Sequence, residues 1–408
     1  MSMVAETTIH DVVITADAHV GEPEAFRSRL PAKYRNMLPD LTVDEHGNLE
    51  FRINGKKLDE PSQARPTARD LVREFRSDPS QGTDLRRRFQ DMGVESVDAQ
   101  VIFPNIGLTC SMGNQPADFY HTWARTYNDW VFELFESNKE RLKPAAMLAV
   151  DDLDDLIAEA KRSIERGACT LFLPSVVPWR PYALSDYEPL WSLAEEASVP
   201  LNFHVFSGNV GLDAALNDIT RLDESRYQQA KSMGKHPELD DERLNATVLG
   251  MAAGMNTVVE LTGSGVLERH PGLRFVITES DFGWLAWTLQ AMDQMQERRY
   301  LNMRKLPLRA SEYFKRQGAI TFGDDPVGLS TLDFIGADRV IWGNDYPHDE
   351  GTFPDSCLAI ERVRNELSPC DAHKVLAANA AEWYGFDLNY LAANRAEIDA
   401  YAIASEDP

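Results

Sequence analysis

An α/β barrel of eight parallel strands, (β/α)8, with insertions after strands 1 and 5, is the fold predicted by three features of this chain. Eight short runs rich in Val, Ile and Phe recur along it, and helical stretches separate most of them. At 408 residues the chain is longer than a usual compact domain, yet barrels of alternating strands and helices accommodate such lengths as one unit. The expected organisation is therefore a single barrel domain over residues 1–408, with insertions at about 41–83 and 207–245.

The predicted strands, in order, begin with "VVITADAH" (Val12 to His19), "AQVIFPN" (Ala99 to Asn105), "KPAAMLAV" (Lys143 to Val150) and "CTLFLPS" (Cys169 to Ser175). They continue with "PLNFHVF" (Pro200 to Phe206), "LRFVITES" (Leu273 to Ser280), "GAITFGD" (Gly318 to Asp324) and "RVIWGND" (Arg339 to Asp345). Among the helices, "DLDDLIAEAKRSIERG" opens with acidic residues, closes with basic ones and stops at Gly167, which complements the helix dipole. "YEPLWSLAEEA" and "AHKVLAANAAEWYGF" carry apolar residues at three- and four-residue spacing. Two segments break the alternation. "EFRINGKKL" predicts a hairpin turning at Asn54-Gly55 inside the first insertion, and the second is polar and irregular. Both are expected on the face that carries the chemistry, as covers or as surface excursions.

Composition narrows the function. Hydrophobic residues at 43% and charged residues at 26% describe an ordinary globular protein with material for a large core. A formal charge of -24 repels phosphate backbones and anionic headgroups, so the expected partner is a small molecule, not nucleic acid or a membrane. No apolar run of about 18 residues and no basic-then-apolar amino terminus is present, which gives a cytoplasmic location as the expectation. A homodimer is the expected assembly. Cys110, Cys169, Cys357 and Cys370 lack metal or disulfide spacing and read as free, mostly buried thiols.

Polar residues gather where the strand runs stop. Asp17 and His19 sit two residues apart on one strand face, His204 lies in strand five, Glu279 and Asp281 end strand six, and Asp345 ends strand eight. Several strands thus converge on the carboxyl-terminal rim, where barrel enzymes keep their chemistry. Carboxylates and imidazoles meeting there suit a divalent transition metal, with zinc or manganese the usual candidates. Taken singly, His204 reads as a core histidine, Asp17 as a turn residue and Asp345 as a cap. Their joint placement favours function for His19, His204 and Asp345.

The stretches "ITADAHVGEP", "RRRFQDMGVESVDAQVIFPN", "LNFHVFSG", "RHPGLRFVITESDFGWLAWTLQAMD", "VIWGNDYPHDEGTFPDS" and "HKVLAANAAEWYGF" together resemble the ACMSD-type (amidohydrolase 2) branch of the metal-dependent amidohydrolase superfamily. The resemblance implies a (β/α)8 TIM barrel with one divalent metal ion per chain, in a family of hydrolases and nonoxidative aromatic acid decarboxylases. It implies Asp17, His19, His204 and Asp345 as metal ligands, with Asp345 also moving a proton. The family's strand-six histidine falls at Glu279, a departure that opens both a ligand and an acid-base role for that carboxylate. His348 follows in a Tyr-Pro-His triplet and is a further catalytic candidate, or a loop hydrogen-bonder.

Two mechanisms fit these residues, and hydrolysis is the main expectation. There a metal-bound water, its pKa lowered from about 15.7 toward about 7, attacks a C-N, C-O or C-C bond while Asp345 or Glu279 takes the proton. In the alternative, the metal chelates a substrate carboxylate and phenolic oxygen, and Asp345 protonates the ring carbon before carbon dioxide leaves. A noncatalytic ligand-binding barrel is the third reading. Trp179, Phe206, Phe282, Trp284 and Tyr346 are candidate aromatic walls, and Arg180 a candidate partner for a substrate carboxylate. Arg86, Arg87 and Arg88 read as the polar face of a helix.

Overall fold

The computed structural model describes residues 11–38, 40–43, 49–53, 56–57, 82–111, 115–208, 248, 250–251, 253–298, 305–348 and 351–398. Every predicted strand run contains a strand. They are β1 (Ile14–Val20), β2 (Ala99–Pro104), β3 (Leu142–Pro144 continued by Ala146–Met147), β4 (Leu171–Val176), β5 (Leu201–Gly208), β6 (Phe275–Thr278), β7 (Gly318–Phe322) and β8 (Val340–Trp342). Neighbours pair in parallel and in chain order, as β1 to β3 in one sheet and β3 to β8 in another.

The sheets meet at two places, and the second of them matters for the site. Within β3 the ladder changes partner at Ala145, whose N–H donates to Ile102 O at 2.8 Å while the Ala146 N–H donates to Thr170 O at 3.0 Å. At the other junction, beyond the end of β8, Ala18 bridges Tyr346. There the Asp345 N–H donates to Asp17 O at 2.9 Å and the His19 N–H to Tyr346 O at 2.6 Å.

Helices cover the outside: α1 (Leu85–Val94), α2 (Ala117–Phe135), α3 (Leu153–Glu165), α4 (Glu188–Ala197), α5 (Ala253–Ser264), α6 (Leu285–Glu297), α7 (Ala310–Gln317) and α8 (Ser356–Glu366). The signals read for α3 are all used. Asp152 caps it by accepting from the Asp155 N–H at 3.0 Å, and Gly167 stops the chain at φ +85°, a conformation costly for a residue with a Cβ. On the inner side of α2, Phe119, Trp123, Tyr127 and Val131 are buried against the barrel. Each such side chain contributes about 1.5–3 kcal/mol on burial. No helix among the described residues is long and apolar enough to cross a membrane.

Several expectations are corrected or completed. The stretch "AHKVLAANAAEWYGF" is not one regular helix: Pro369–His373 runs into a π-turn at Lys374–Ala378 and then Asn379–Tyr384. Buried Asn379 donates to the carbonyls of Ala337 and Val340 at 2.7 and 2.8 Å, tying that irregular stretch to the start of β8. In the first insertion, strands Asp40–Val43, Leu49–Ile53 and Lys56–Lys57 form an antiparallel sheet, and the Ile53–Lys56 pair brackets the predicted Asn54-Gly55 turn. Residues 58–81, and 209–245 of the second insertion, lie outside the described residues. The four cysteines are free, but only Cys110 is buried; Cys169 is half-buried, while Cys357 and Cys370 are exposed in the first turns of helices. Arg88 is not on a polar face at all, being fully buried beneath β1.

Candidate metal centre

Asp17 and His19 project from β1, His204 from β5, Glu279 from just past β6 and Asp345 from just past β8, and all are buried. The register of β1 against β2 shifts between Thr15 and Ala18, the interval that holds Asp17, and such irregularities re-aim side chains beside active sites. Glu279, Asp281 and Asp345 adopt φ of +61°, +44° and +54°, and Phe206 +56°. Left-handed backbone at four residues around the ends of three strands is strain that the surrounding structure must hold in place. Thr15 and Asn344 do part of that holding. The Thr15 hydroxyl donates to Asn344 Oδ1 at 2.9 Å and accepts from the Asn344 N–H at 2.9 Å. Gly343 leaves room for the first ligand strand, because a Cβ there would come within 2.6 Å of Asp17 Cβ.

Side-chain atoms converge closely. His19 Nε2 lies 3.4 Å from Asp17 Oδ1 and 3.1 Å from Asp345 Oδ1, and His204 Nε2 lies 3.3 Å from the same Asp17 oxygen. His204 Nδ1 is 3.4 Å from Glu279 Oε2, and His348 Nδ1 is 2.8 Å from Asp345 Oδ1. Asp17, His19 and His204 form one group able to share an ion, as do His19, Asp345 and His348, and Asp17, Glu279 and Asp345. Phe103 packs edge-on beneath His204 with ring centroids 4.8 Å apart, giving the cluster an apolar floor.

The tautomers show what these donors fit. His19 Nδ1 is 2.9 Å from Pro104 O, and His204 Nδ1 is 2.9 Å from Val205 O. A carbonyl only accepts, so Nδ1–H donates in both rings and each Nε2 lone pair turns toward the carboxylates. His19 Nε2 and both Asp345 carboxylate oxygens are buried without a hydrogen bond. Lone pairs facing carboxylates need a cation between them, and a divalent ion fits this donor set. Without one the proton takes its place. Burial opposes charging His19, but the carboxylates of Asp17 and Asp345 outweigh it and raise its pKa to about 10. Burial alone would raise Asp345, yet His348 and His19 hold it well below the carboxylate range. Metal loading should therefore release protons.

Beside the cluster lies a cavity of about 360 Å³. Phe322, Phe353, Met251 and Leu358 line it, and its charged side chains among the described residues are all carboxylates: Asp17, Glu279, Asp281, Asp324, Asp345 and Asp355. Burial and the neighbouring Asp325 raise Asp281 to about 6, whereas Arg362 pairs with Asp324 at 2.7 Å.

The residues expected to hold substrate have partners of their own. Arg180 donates to Val150 O at 2.9 Å, Trp284 Nε1 donates to Ser280 O at 2.8 Å, and the buried Tyr346 hydroxyl donates to Asp91 at 2.6 Å. Phe206 packs on Gly250. None of these four lines the cavity among the described residues, Phe282 is buried in the core, and Trp179 is exposed. Sequence reasoning missed Phe353 and Asp355, which both lie in the "HDEGTFPDS" stretch it had quoted. It also missed Glu22 in "HVGEP", whose buried carboxylate accepts from the Ile106 and Gly107 N–H groups at 2.9 and 2.7 Å. That contact orders the loop carrying Asn105, the partner of His348 Nε2 at 3.3 Å.

A family model described as amidohydrolase matches residues 16–386. The chain belongs to this family. The expectation of one divalent ion per chain agrees with the family and with the donor set. No curated protein matches the chain. Solved structures with the same fold include a 5-carboxyvanillate decarboxylase from Sphingomonas paucimobilis, at 19% identity and TM-score 0.65 over 92% of this chain and 99% of that one. An amidohydrolase from Mycobacterium avium subsp. paratuberculosis K-10 is similar at 20% identity and TM-score 0.66, again over 92% and 99%. A dihydroxybenzoic acid decarboxylase from Polaromonas sp. JS666, with bound manganese and the inhibitor 2-nitroresorcinol, aligns at 17% identity and TM-score 0.62 over 92% and 97%.

Proposed function

We propose that the protein is a metal-dependent lyase that removes carbon dioxide from a small aromatic acid without an oxidant. The carrying observation is a buried carboxylate, Asp345, at the cavity wall between two imidazoles, His19 at 3.1 Å and His348 at 2.8 Å. Such a group can deliver a proton to a substrate carbon and be recharged from behind. Asp17, His19, His204 and Asp345 would hold the ion, manganese or zinc, which when bound supplies a Lewis acid for substrate oxygens. The manganese and aromatic ligand of the Polaromonas enzyme support this reading over the hydrolytic one. The match over residues 16–386 supports treating the chain as one catalytic domain.

In the proposed reaction Asp345, held ionised at rest by His348 and His19, accepts a proton from His348 and delivers it to the ring carbon that bears the carboxylate. The C-C bonding pair then returns to the ring as neutral carbon dioxide departs. Asn105 holds His348 for that transfer. Phe322 and Phe353 offer apolar walls, and about 360 Å³ suits a single ring. The carboxylates facing the cavity oppose a second acid group on the substrate and favour hydroxyl or amino substituents.

Hydrolysis is the second reading, favoured by Glu279, which borders the cavity as a base able to accept a proton from water. A panel of hydroxy- and aminobenzoates, assayed with the manganese-loaded protein for carbon dioxide, separates the two. Ring-deuterated product in heavy water with carbon dioxide release supports the lyase. Cleavage of amide or ester analogues with solvent oxygen incorporated, and no carbon dioxide, supports the hydrolase.

A further inference from the structure

The metal-site geometry depends on a junction that the regular sheet does not reach. β8 stops at Trp342, three residues before Asp345, and beyond its end the chain meets β1 through an isolated bridge, Ala18 to Tyr346, instead of a continuous ladder. Yet Asp17, His19 and Asp345 must be held across this junction to share one ion.

We propose that Arg88, with Asp91 and Tyr346, is a clamp that sets the position of His19 relative to Asp345, making Arg88 a positioning residue for the metal. Its guanidinium is fully buried and makes no ion pair among the described residues. A buried charge of that kind is expensive, and an apolar side chain would fill the same space at lower cost. What the guanidinium provides is reach in several directions. Nη2 donates to His19 O at 2.6 Å, Nη1 to Gln100 Oε1 at 2.7 Å and Nε to Gly82 O at 3.1 Å. Its face lies 5.1 Å from the Tyr346 ring. One turn along α1, Asp91 accepts from the Tyr346 hydroxyl at 2.6 Å. The His19 backbone is thereby committed on both sides, its N–H to Tyr346 and its carbonyl to Arg88, while helix α1 grips the residue that follows Asp345. Losing a group that fixes a ligand from behind typically weakens metal affinity about 10- to 100-fold.

The test compares Arg88→Met with Arg141→Met. Arg141 is also a buried arginine bonded to carbonyls, those of Asp98 and Asn394, but it stands at the opposite ends of the strands. Mn2+ affinity is read by competition with a fluorescent chelator, and folding by circular dichroism and thermal melts. Arg88→Met should bind Mn2+ about 10- to 100-fold more weakly. Arg88→Lys should fall between it and wild type, and Arg141→Met should lose stability with unchanged affinity. Tyr346→Phe keeps the ring and loses only the Asp91 bond, so it should give a smaller affinity loss and carries the test should Arg88→Met not fold. Wild-type affinity in folded Arg88→Met, in Tyr346→Phe if the former does not fold, or equal losses in Arg88→Met and Arg141→Met, would overturn the clamp. The clamp rests on the metal reading, which fails separately if the wild-type chain itself binds no Mn2+.

Discussion

Replacing Asp345 by Asn removes one charge from the centre of the site and little else. Asparagine tolerates the left-handed backbone found there at φ +54°, and the Asp345 N–H bond to Asp17 O is independent of the side chain. Folding should survive, with a stability change within about 1 kcal/mol. The chemistry should not. The amide cannot serve as an acid between His19 and His348, and it is a weaker oxygen donor toward a metal. Loss of a positioned general acid lowers turnover by about 100- to 10,000-fold. That corresponds to about 2.7–5.4 kcal/mol in the barrier. The assay is carbon dioxide release from the best substrate of the benzoate panel, at saturating Mn2+, with metal content and thermal melts recorded on the same preparations. An Asp345→Asn protein that folds, holds metal and turns over within a few-fold of wild type would refute the proton-transfer role.

Glu279→Gln separates the two readings: the lyase route gives this cavity-facing carboxylate no proton to move, so metal and carbon dioxide release should both be retained, whereas a fall of about 100-fold in turnover would mark it as the hydrolytic base and metal loss in elemental analysis as a ligand. Gly343→Ala forces a Cβ to within 2.6 Å of Asp17 Cβ, so chelator competition should show at least about 10-fold weaker Mn2+ binding with secondary structure intact. Burial raises Glu95 from 4.5 to about 7, so the folded state binds more protons than the unfolded one between those values and loses stability as pH rises through them. That contribution is at most about 3 kcal/mol. Glu95→Gln should therefore flatten the fall in melting temperature between about pH 5 and about pH 8, and an unchanged pH profile would contradict the assignment.

The barrel was legible because its strands are buried throughout and so read as apolar runs between helices. Less legible was how the runs end. "KPAAMLAV" does not show that Ala145 switches partners, and "RVIWGND" does not show that pairing stops at Trp342. Strand-end position pointed to Asp17, His19, His204, Glu279 and Asp345, and His348 entered only with the family resemblance; the structure brings these side chains close together. The cavity wall was not. Its lining depends on positive-φ residues such as Asp281 and on the return of the loop through Phe353, neither of which leaves a periodic signal. Arg88 was misread because three consecutive arginines resemble a solvated helix face, although Phe89 and Met92 mark that side as buried.

The central claim is that Asp17, His19, His204 and Asp345 hold one divalent ion. Titrating metal-stripped protein with Mn2+ and counting the free ion by its electron paramagnetic resonance signal tests it directly. About one tight equivalent per chain is expected in the wild type and none in a folded His204→Ala variant. A wild-type chain that leaves all the Mn2+ free, or a His204→Ala chain that still binds one equivalent as tightly, would contradict it.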